Sequence, residues 1–181
     1  MVEARLITDG NQLKELYELR YRVFAGTFPK ALYPNGQLKD DFDDEGFHIG
    51  CYLKDKLVGA ITIILKKNDL LMVERIHDLE SDIRNKYAEA MRLIIVDDPD
   101  TRGFGIKGII LSELLKKMAE VLKSHEITHV YLQSLEKSQG IYEKMGFKQI
   151  KEYKMYEGIS NECPMLLVVD EFKLNIFEEA K

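Results

Sequence analysis

The sequence predicts an α/β domain with a central mixed sheet and flanking helices, and three features predict it. Residues 90–96 (AMRLIIV) are an apolar run that breaks at Asp98, Pro99 and Asp100 and leads through a glycine-rich turn into a long amphipathic segment. Two β-branched runs, 47–53 and 57–66, flank the polar turn Lys54, Asp55 and Lys56 as a hairpin. The chain has 181 residues, 45% hydrophobic and 31% charged, which is the size and composition of one ordinary globular domain spanning 1–181. A chain of this length buries roughly two-thirds of its unfolded surface without staples.

In order along the chain, residues 2–8 alternate loosely and read as a strand. Asp9 or Asn11 then caps a helix in which Leu13, Leu16, Tyr17, Arg20 and Phe24 recur at helical spacing. Gly26, Pro29, Pro34 and Gly36 punctuate the stretch that ends in the acidic run DDFDDE, read structurally as a solvated loop. After the hairpin, residues 70–74 read as a short strand, and the polar segment to 88 reads as loop or helix. Beyond the glycine turn, a helix runs to about Ser124, with Ile106, Ile110, Leu114, Met118 and Val121 as its apolar stripe. A strand at 128–134, a short helix ending at Met145 and Gly146, and strands near 147–156 and 163–169 complete the chain. There is no internal repeat and no linker.

Charge narrows the function classes. With 26 Lys+Arg against 31 Asp+Glu the net charge is −5, which argues against general nucleic-acid binding. Uncharged stretches such as 57–65 reach nine residues, far below the roughly 20 that span a bilayer, and the start lacks a signal-peptide pattern. The expectation is a cytoplasmic protein with no membrane or nucleic-acid partner, with Cys51 and Cys163 as reduced, buried thiols. The acidic surplus lies in residues 1–100, with 14 basic and 19 acidic groups, whereas 102–123 holds five basic against two acidic. That asymmetry suggests an anionic ligand on the second stretch and a cationic amine near the first.

The turn Arg102, Gly103, Phe104, Gly105, Ile106, Lys107 and Gly108 stands between strand and helix, where unpaired N–H groups and the helix dipole favour a phosphate. It matches neither G-x-G-x-x-G in its usual setting nor a P-loop; the structural alternative is a tight strand-to-helix turn. The run Arg-x-x-Gly-x-Lys-Gly resembles the acyl-CoA pyrophosphate loop of the GNAT superfamily of N-acyltransferases, with Lys107 in place of a small residue. The segment from Tyr142 to Gly146 and Phe147 resembles that superfamily's Tyr-x-x-x-Gly-Phe. The resemblance implies a GNAT-like fold whose sheet splays at the acyl-CoA site, and acetyl-CoA or another acyl-CoA as cosubstrate without a metal. The cofactor would lie against Ile94, Ile95, Val96 and the 102–108 turn. A backbone N–H near Ile95 and Val96 would meet the oxyanion, and Tyr142 would protonate the departing thiolate. Packing beside Ile141 and Met145 is the structural alternative for Tyr142. Glu89, or else Glu74, would serve as base, the alternative being a structural carboxylate.

A narrower resemblance lies in the first half. Arg20 and Phe24, Asp40 and Asp43, and Glu89 and Arg92 are similar to the Arg-x-x-x-Phe, Asp-x-x-Asp and Glu-x-x-Arg signatures of acyl-homoserine lactone synthases and N-acyl amino acid synthases. Those enzymes take acyl groups from acyl carrier protein. Thr62 stands where they carry an arginine, Met91 where they carry a serine, and the chain has no Trp. The expectation is therefore N-acetyl or N-acyl transfer to a small-molecule amine by a monomer or homodimer. Synthesis of acyl amino acids or lactones from acyl carrier protein is the alternative, and acyl-CoA binding without turnover is a further one. A remote one is a zinc metallopeptidase through His125, Glu126 and His129 in H-E-x-x-H spacing, which requires a continuous helix that the β-branched 127–131 run opposes.

Overall fold

The computed structural model describes residues 1–27, 32–103, 105–156 and 158–174, and the chain divides into two units, 1–63 with 92–119 and 64–91 with 120–181. In the first unit, β1 (Val2–Leu6) leads to α1 (Gly10–Phe24), which starts where the Asp9 carboxylate accepts from the N–H groups of Asn11 and Gln12 at 2.9 and 3.2 Å. The acidic run is not a solvated loop: it forms a 3-10 turn, Asp41–Glu45, closed by a capping box between Asp40 and Asp43. The hairpin β2 (Phe47–Leu53) and β3 (Lys56–Leu65) turns at Lys54 and Asp55, both at positive φ, the two-residue geometry whose twist suits paired strands. Ladder order here is β1, β2, β3, with the end of β4 (Tyr87–Ile95) against β3.

Helix α3 (Ile106–Ser124) buries Ile110, Leu114, Met118 and Val121 as its stripe predicted, and Leu111, Leu115 and Leu122 widen it. Its approach to β3 is set by Gly59. A Cβ there would stand 2.7 Å from Ile110 Cγ2 and 3.1 Å from the Ile94 carbonyl oxygen. Leu16, Tyr17 and Leu19 of α1 close a core with Ile7, Tyr52, Leu57, Ala60 and Ile94.

In the second unit, residues 70–74 are not a strand: α2 (Met72–His77) starts within them, with Leu71 as its N-cap. Glu74 reaches back to accept the Leu71 N–H at 2.7 Å, and Glu89 accepts the Val73 N–H at 3.1 Å. At the other end Lys151 donates to the carbonyls of His77 and Asp78, and Lys154 to that of Ile76. Six residues are too few to hold a helix alone; remote side chains satisfy its open ends.

The start of β4 pairs in parallel with β5 (His129–Leu135) over Tyr87–Glu89 and His129–Tyr131. The parallel register ends there, although β5 continues and stays paired along its length with β8 (Ser160–Val168). Between β5 and β8 come α4 (Glu136–Met145), β6 (Lys148–Gln149) and β7 (Lys154–Tyr156), and both short strands pair with β8. The α/β class with a mixed sheet is the one predicted, and both cysteines are buried and free.

Three glycines test this packing. Gly59→Ala is expected to cost about 1–3 kcal/mol through overpacking against α3. Gly146→Ala should cost at least as much, since its φ is +107° and a Cβ would sit 2.7 Å from the Glu171 carbonyl. Gly140→Ala, with nothing within 4 Å inside α4, should stabilise by up to about 1 kcal/mol. Urea unfolding of the three variants checks the order.

Candidate active site

Arg20 lies on the apolar face of α1, among Leu16, Tyr17 and Leu19, and its side chain is 1% exposed. A guanidinium in that position requires a counter-charge. Asp43, whose side chain is wholly buried, supplies it: Arg20 Nη1 donates to Oδ1 at 2.7 Å. Arg92 closes on the same carboxylate from β4, with Nη1 3.1 and 3.0 Å from Oδ1 and Oδ2, while its Nη2 donates to Asp40. The Asp40 N–H also donates to Asp43 Oδ2 at 2.9 Å. Arg92 reaches these partners from a left-handed backbone, φ +56°, which is rare for a non-glycine residue within a strand. Burial alone would raise the Asp43 carboxyl, but Arg20 and Arg92 hold it below the usual carboxylate range. The cluster contains two arginines and two aspartates, and solvent reaches it at Arg92 (14% exposed) and Asp40 (28%).

Behind Arg20 stand two polar groups that sequence spacing did not connect to it. Arg20 Nη2 donates to Thr62 Oγ1 and lies 3.3 Å from His48 Nδ1. Thr62 Oγ1 is 3.0 Å from the same nitrogen, and His48 Nε2 is 3.0 Å from the Asp43 carbonyl oxygen. Their legible signal was hairpin register, because His48 and Thr62 are direct cross-strand partners. Burial, then Arg20, pushes the His48 imidazole below its ordinary value.

The glycine turn is also in the first unit. Gly105 takes the left-handed φ of +76°, and α3 starts at Ile106, whose N–H donates to Gly103 O. Phe104 lies outside the described residues. Asp97, just before the turn, takes both of its cations: Lys107 Nζ lies 2.8 Å and Arg102 Nε 3.4 Å from Oδ1. Lys56 bridges Asp98 and Asp100. The surplus of positive charge counted over 102–123 is thus reduced at the turn by Asp97, which lies outside that window. Two further expectations change. The Val96 N–H donates to the Val58 carbonyl at 2.8 Å, so it is a sheet donor rather than an oxyanion donor. The Ile94 side chain is buried in the core.

The second unit holds the proposed proton-transfer groups. Glu74 is held ionised despite burial by Lys66 at 2.6 Å, by the Ser81 hydroxyl and by the Leu71 N–H, which makes it a structural carboxylate. Glu89 accepts from Val73 N–H and from Gln133 Nε2 at 3.4 Å, and Gln133 Oε1 accepts from His77 Nε2 at 3.1 Å. Tyr142 on α4 packs edge-on against Phe147, with ring centroids 6.1 Å apart, and its carbonyl accepts the Phe147 N–H after Gly146 ends the helix. Burial, then Glu162, raises its phenol. The H-E-x-x-H residues do not share a helix: α3 ends at Ser124, Glu126 is left-handed and paired with Lys86, and His129 opens β5. Among the described residues no group of three or more His, Cys, Asp or Glu is placed to hold a metal, and no helix is long and apolar enough to cross a membrane.

The fold and the family comparison make this chain an N-acyltransferase. The family model of the N-acyl amino acid synthase FeeM matches residues 15–170, and the chain belongs to that family. It is an N-acyltransferase of the FeeM and acyl-homoserine lactone synthase type. Among solved structures, FeeM, an N-acyl amino acid synthase from uncultured soil microbes, is 16% identical with a TM-score of 0.70 over 94% of this chain and 92% of that one. The AHL synthase LasI is 15% identical with a TM-score of 0.74, over 93% and 90%. The ribosomal-protein-S18-alanine N-acetyltransferase from Escherichia coli is 14% identical with a TM-score of 0.57, over 93% and 94%. No curated protein matches the chain.

Two stability tests follow from the buried charges. Asp43→Asn leaves two guanidinium groups without their shared carboxylate and should cost about 3–5 kcal/mol, whereas Asp40→Asn, at the solvent edge, should cost about 1 kcal/mol or less. Denaturant unfolding separates them. His48 and His77 are both held below the ordinary histidine value of about 6.5, chiefly by burial. The unfolded chain therefore binds protons first as pH falls, so stability should decline from about pH 6.5 downward. A melting temperature that stays flat or rises between pH 7 and 5 would contradict this.

Proposed function

We propose that the protein acylates the amino group of an amino acid or amino-acid-like acceptor, taking the acyl group from a phosphopantetheine thioester. The observation that carries this reading is the solvent-facing end of the buried cluster. Arg92 offers a guanidinium to a carboxylate, and Asp40 beside it offers a carboxylate to an ammonium. A zwitterionic acceptor matches both. The simple cationic amine suggested by the acidic first half is a poorer match, because it would meet Asp40 alone and face the Arg92 guanidinium with no carboxylate of its own.

The reaction asks for little covalent chemistry from the protein. The acceptor ammonium loses a proton, and its nitrogen attacks the thioester carbonyl. The tetrahedral intermediate then loses the second surplus proton of its nitrogen to solvent and collapses to a neutral amide and a thiolate, which needs a proton, so that one proton is released overall. Glu89 is proposed to receive the ammonium proton. Tyr142, whose phenol keeps its proton well above neutral pH, is proposed to protonate the thiolate. Tyr142→Phe tests the acid role as a loss in kcat with unchanged melting temperature, and Glu89→Gln tests the base role as a loss in kcat larger than its change in melting temperature accounts for.

Acyl carrier protein is the donor we favour, with acetyl-CoA and other acyl-CoA thioesters second. The turn's two cations already face Asp97, so the loop offers less to the several negative charges of CoA than its sequence promised. A carrier protein brings a single pantetheine phosphate. Rates with matched acyl carrier protein and acyl-CoA donors, read by amide product, test this. Higher kcat/KM is expected from the carrier protein. Asp97→Asn should lower the KM for acyl-CoA about two- to fivefold, the scale of a surface ion pair. Equal or better use of acyl-CoA by the unaltered enzyme would reverse the donor assignment. Absence of amide with every donor would end the transferase reading.

A further inference from the structure

His48 and Thr62 pack against Arg20, and their hydrogen bonds fix the protons between them. The Asp43 carbonyl only accepts, so His48 Nε2 must carry a hydrogen. Arg20 only donates, so Thr62 Oγ1 accepts from Nη2 and has its own hydrogen left to give. Its neighbour is His48 Nδ1, 3.0 Å away, which must then be bare. In this arrangement the His48 Nε2–H, the Thr62 O–H and the Arg20 Nη2 donor facing it each have an acceptor.

We propose that His48, as the neutral Nε2–H tautomer joined to Thr62, is a positioning residue that substitutes for the missing arginine and fixes Arg20, and through Asp43 the acceptor-binding Arg92. A proton on Nδ1 would point an N–H at the Arg20 guanidinium and deprive the Thr62 hydroxyl of its acceptor. The groups around the ring oppose that proton on balance. Arg20 from α1 and Arg92 from β4 repel it, and only Asp43 of the 3-10 turn attracts it. Tyr17 presents its ring at right angles, with centroids 6.0 Å apart. His48 also lines a cavity of about 490 Å³ with Tyr17, Lys39, Asp43 and Asp44, which gives protons a route to an otherwise buried ring. A third arginine would make the cluster permanently cationic. The His–Thr pair keeps it neutral at pH 7 and makes it sensitive to acid.

The kinetic half of this proposal rests on the acyl-transfer reading; the tautomer does not. Long-range 1H–15N spectra of ring-labelled wild-type protein should show His48 as Nε2–H at pH 7, staying neutral to well below pH 6.5. An Nδ1–H tautomer or an imidazolium at pH 7 would overturn the proposal whether or not any donor is turned over. In the acylation assay, wild-type kcat/KM for the acceptor should fall about tenfold or more as His48 titrates, on the scale of one lost buried hydrogen bond. Thr62→Val should raise acceptor KM by a similar factor with donor KM unchanged, and Thr62→Ser should recover most of it. His48→Gln, which keeps a donor and an acceptor but cannot take a second proton, should lose the acid limb that tracks His48. The same acid limb in His48→Gln would refute the positioning role.

Discussion

The carboxylate of Asp43 is the constraint on which the first unit depends. It is wholly buried and receives two guanidinium groups, from Arg20 on α1 and from Arg92 on β4, so it ties a helix, a 3-10 turn and a strand to one point. Buried ion pairs rarely add net stability compared with apolar residues of the same shape, but a broken one is costly. Such a pair is therefore better at fixing a geometry than at strengthening a fold. What it fixes here is Arg92, held at a left-handed backbone position with its guanidinium at the edge of solvent. The strain and the orientation have the same cause.

Charge in this chain is arranged by pairing rather than by regional excess. The net charge of −5 lies in the first hundred residues, yet two of those acids are neutralised inside the cluster and three more, Asp97, Asp98 and Asp100, engage Arg102, Lys107 and Lys56. The glycine turn that looks strongly cationic by count is close to balanced in place. The donor preference and the acceptor preference both follow from that local bookkeeping. In the second unit Glu74 is similarly committed, to Lys66, and Glu89 accepts from Val73 N–H and from Gln133.

Much of the fold was legible because periodicity reports burial. The α1 and α3 stripes, the hairpin and the strand–glycine turn–helix sequence all stand where the pattern put them. Arg20 was legible in a subtler way, since a guanidinium on an apolar helix face demands a partner, and the Asp-x-x-Asp and Glu-x-x-Arg pairs named two candidates. Helix α2 was not legible. Its ends are satisfied by Glu89, Lys151 and Lys154, which lie 16 to 78 residues from the groups they bond and leave no trace in a local window. The pairing of His48 with Thr62 was legible only through the register of the predicted hairpin, which spacing along the chain does not give. Asp97 was overlooked because it lies outside the motif whose charge it cancels.

The central claim is that Arg92, fixed by Asp43, selects an acceptor with a carboxylate beside its amine. Competition between an amino acid and its decarboxylated amine for one acyl donor, read by mass spectrometry of the amide products, tests it most directly. The account predicts that the wild-type protein acylates the amino acid about tenfold or more in preference, the scale of one charge-assisted hydrogen bond, and that Arg92→Gln loses that preference. Equal acylation of the two amines by the wild-type protein, or an undiminished preference in Arg92→Gln, would contradict it.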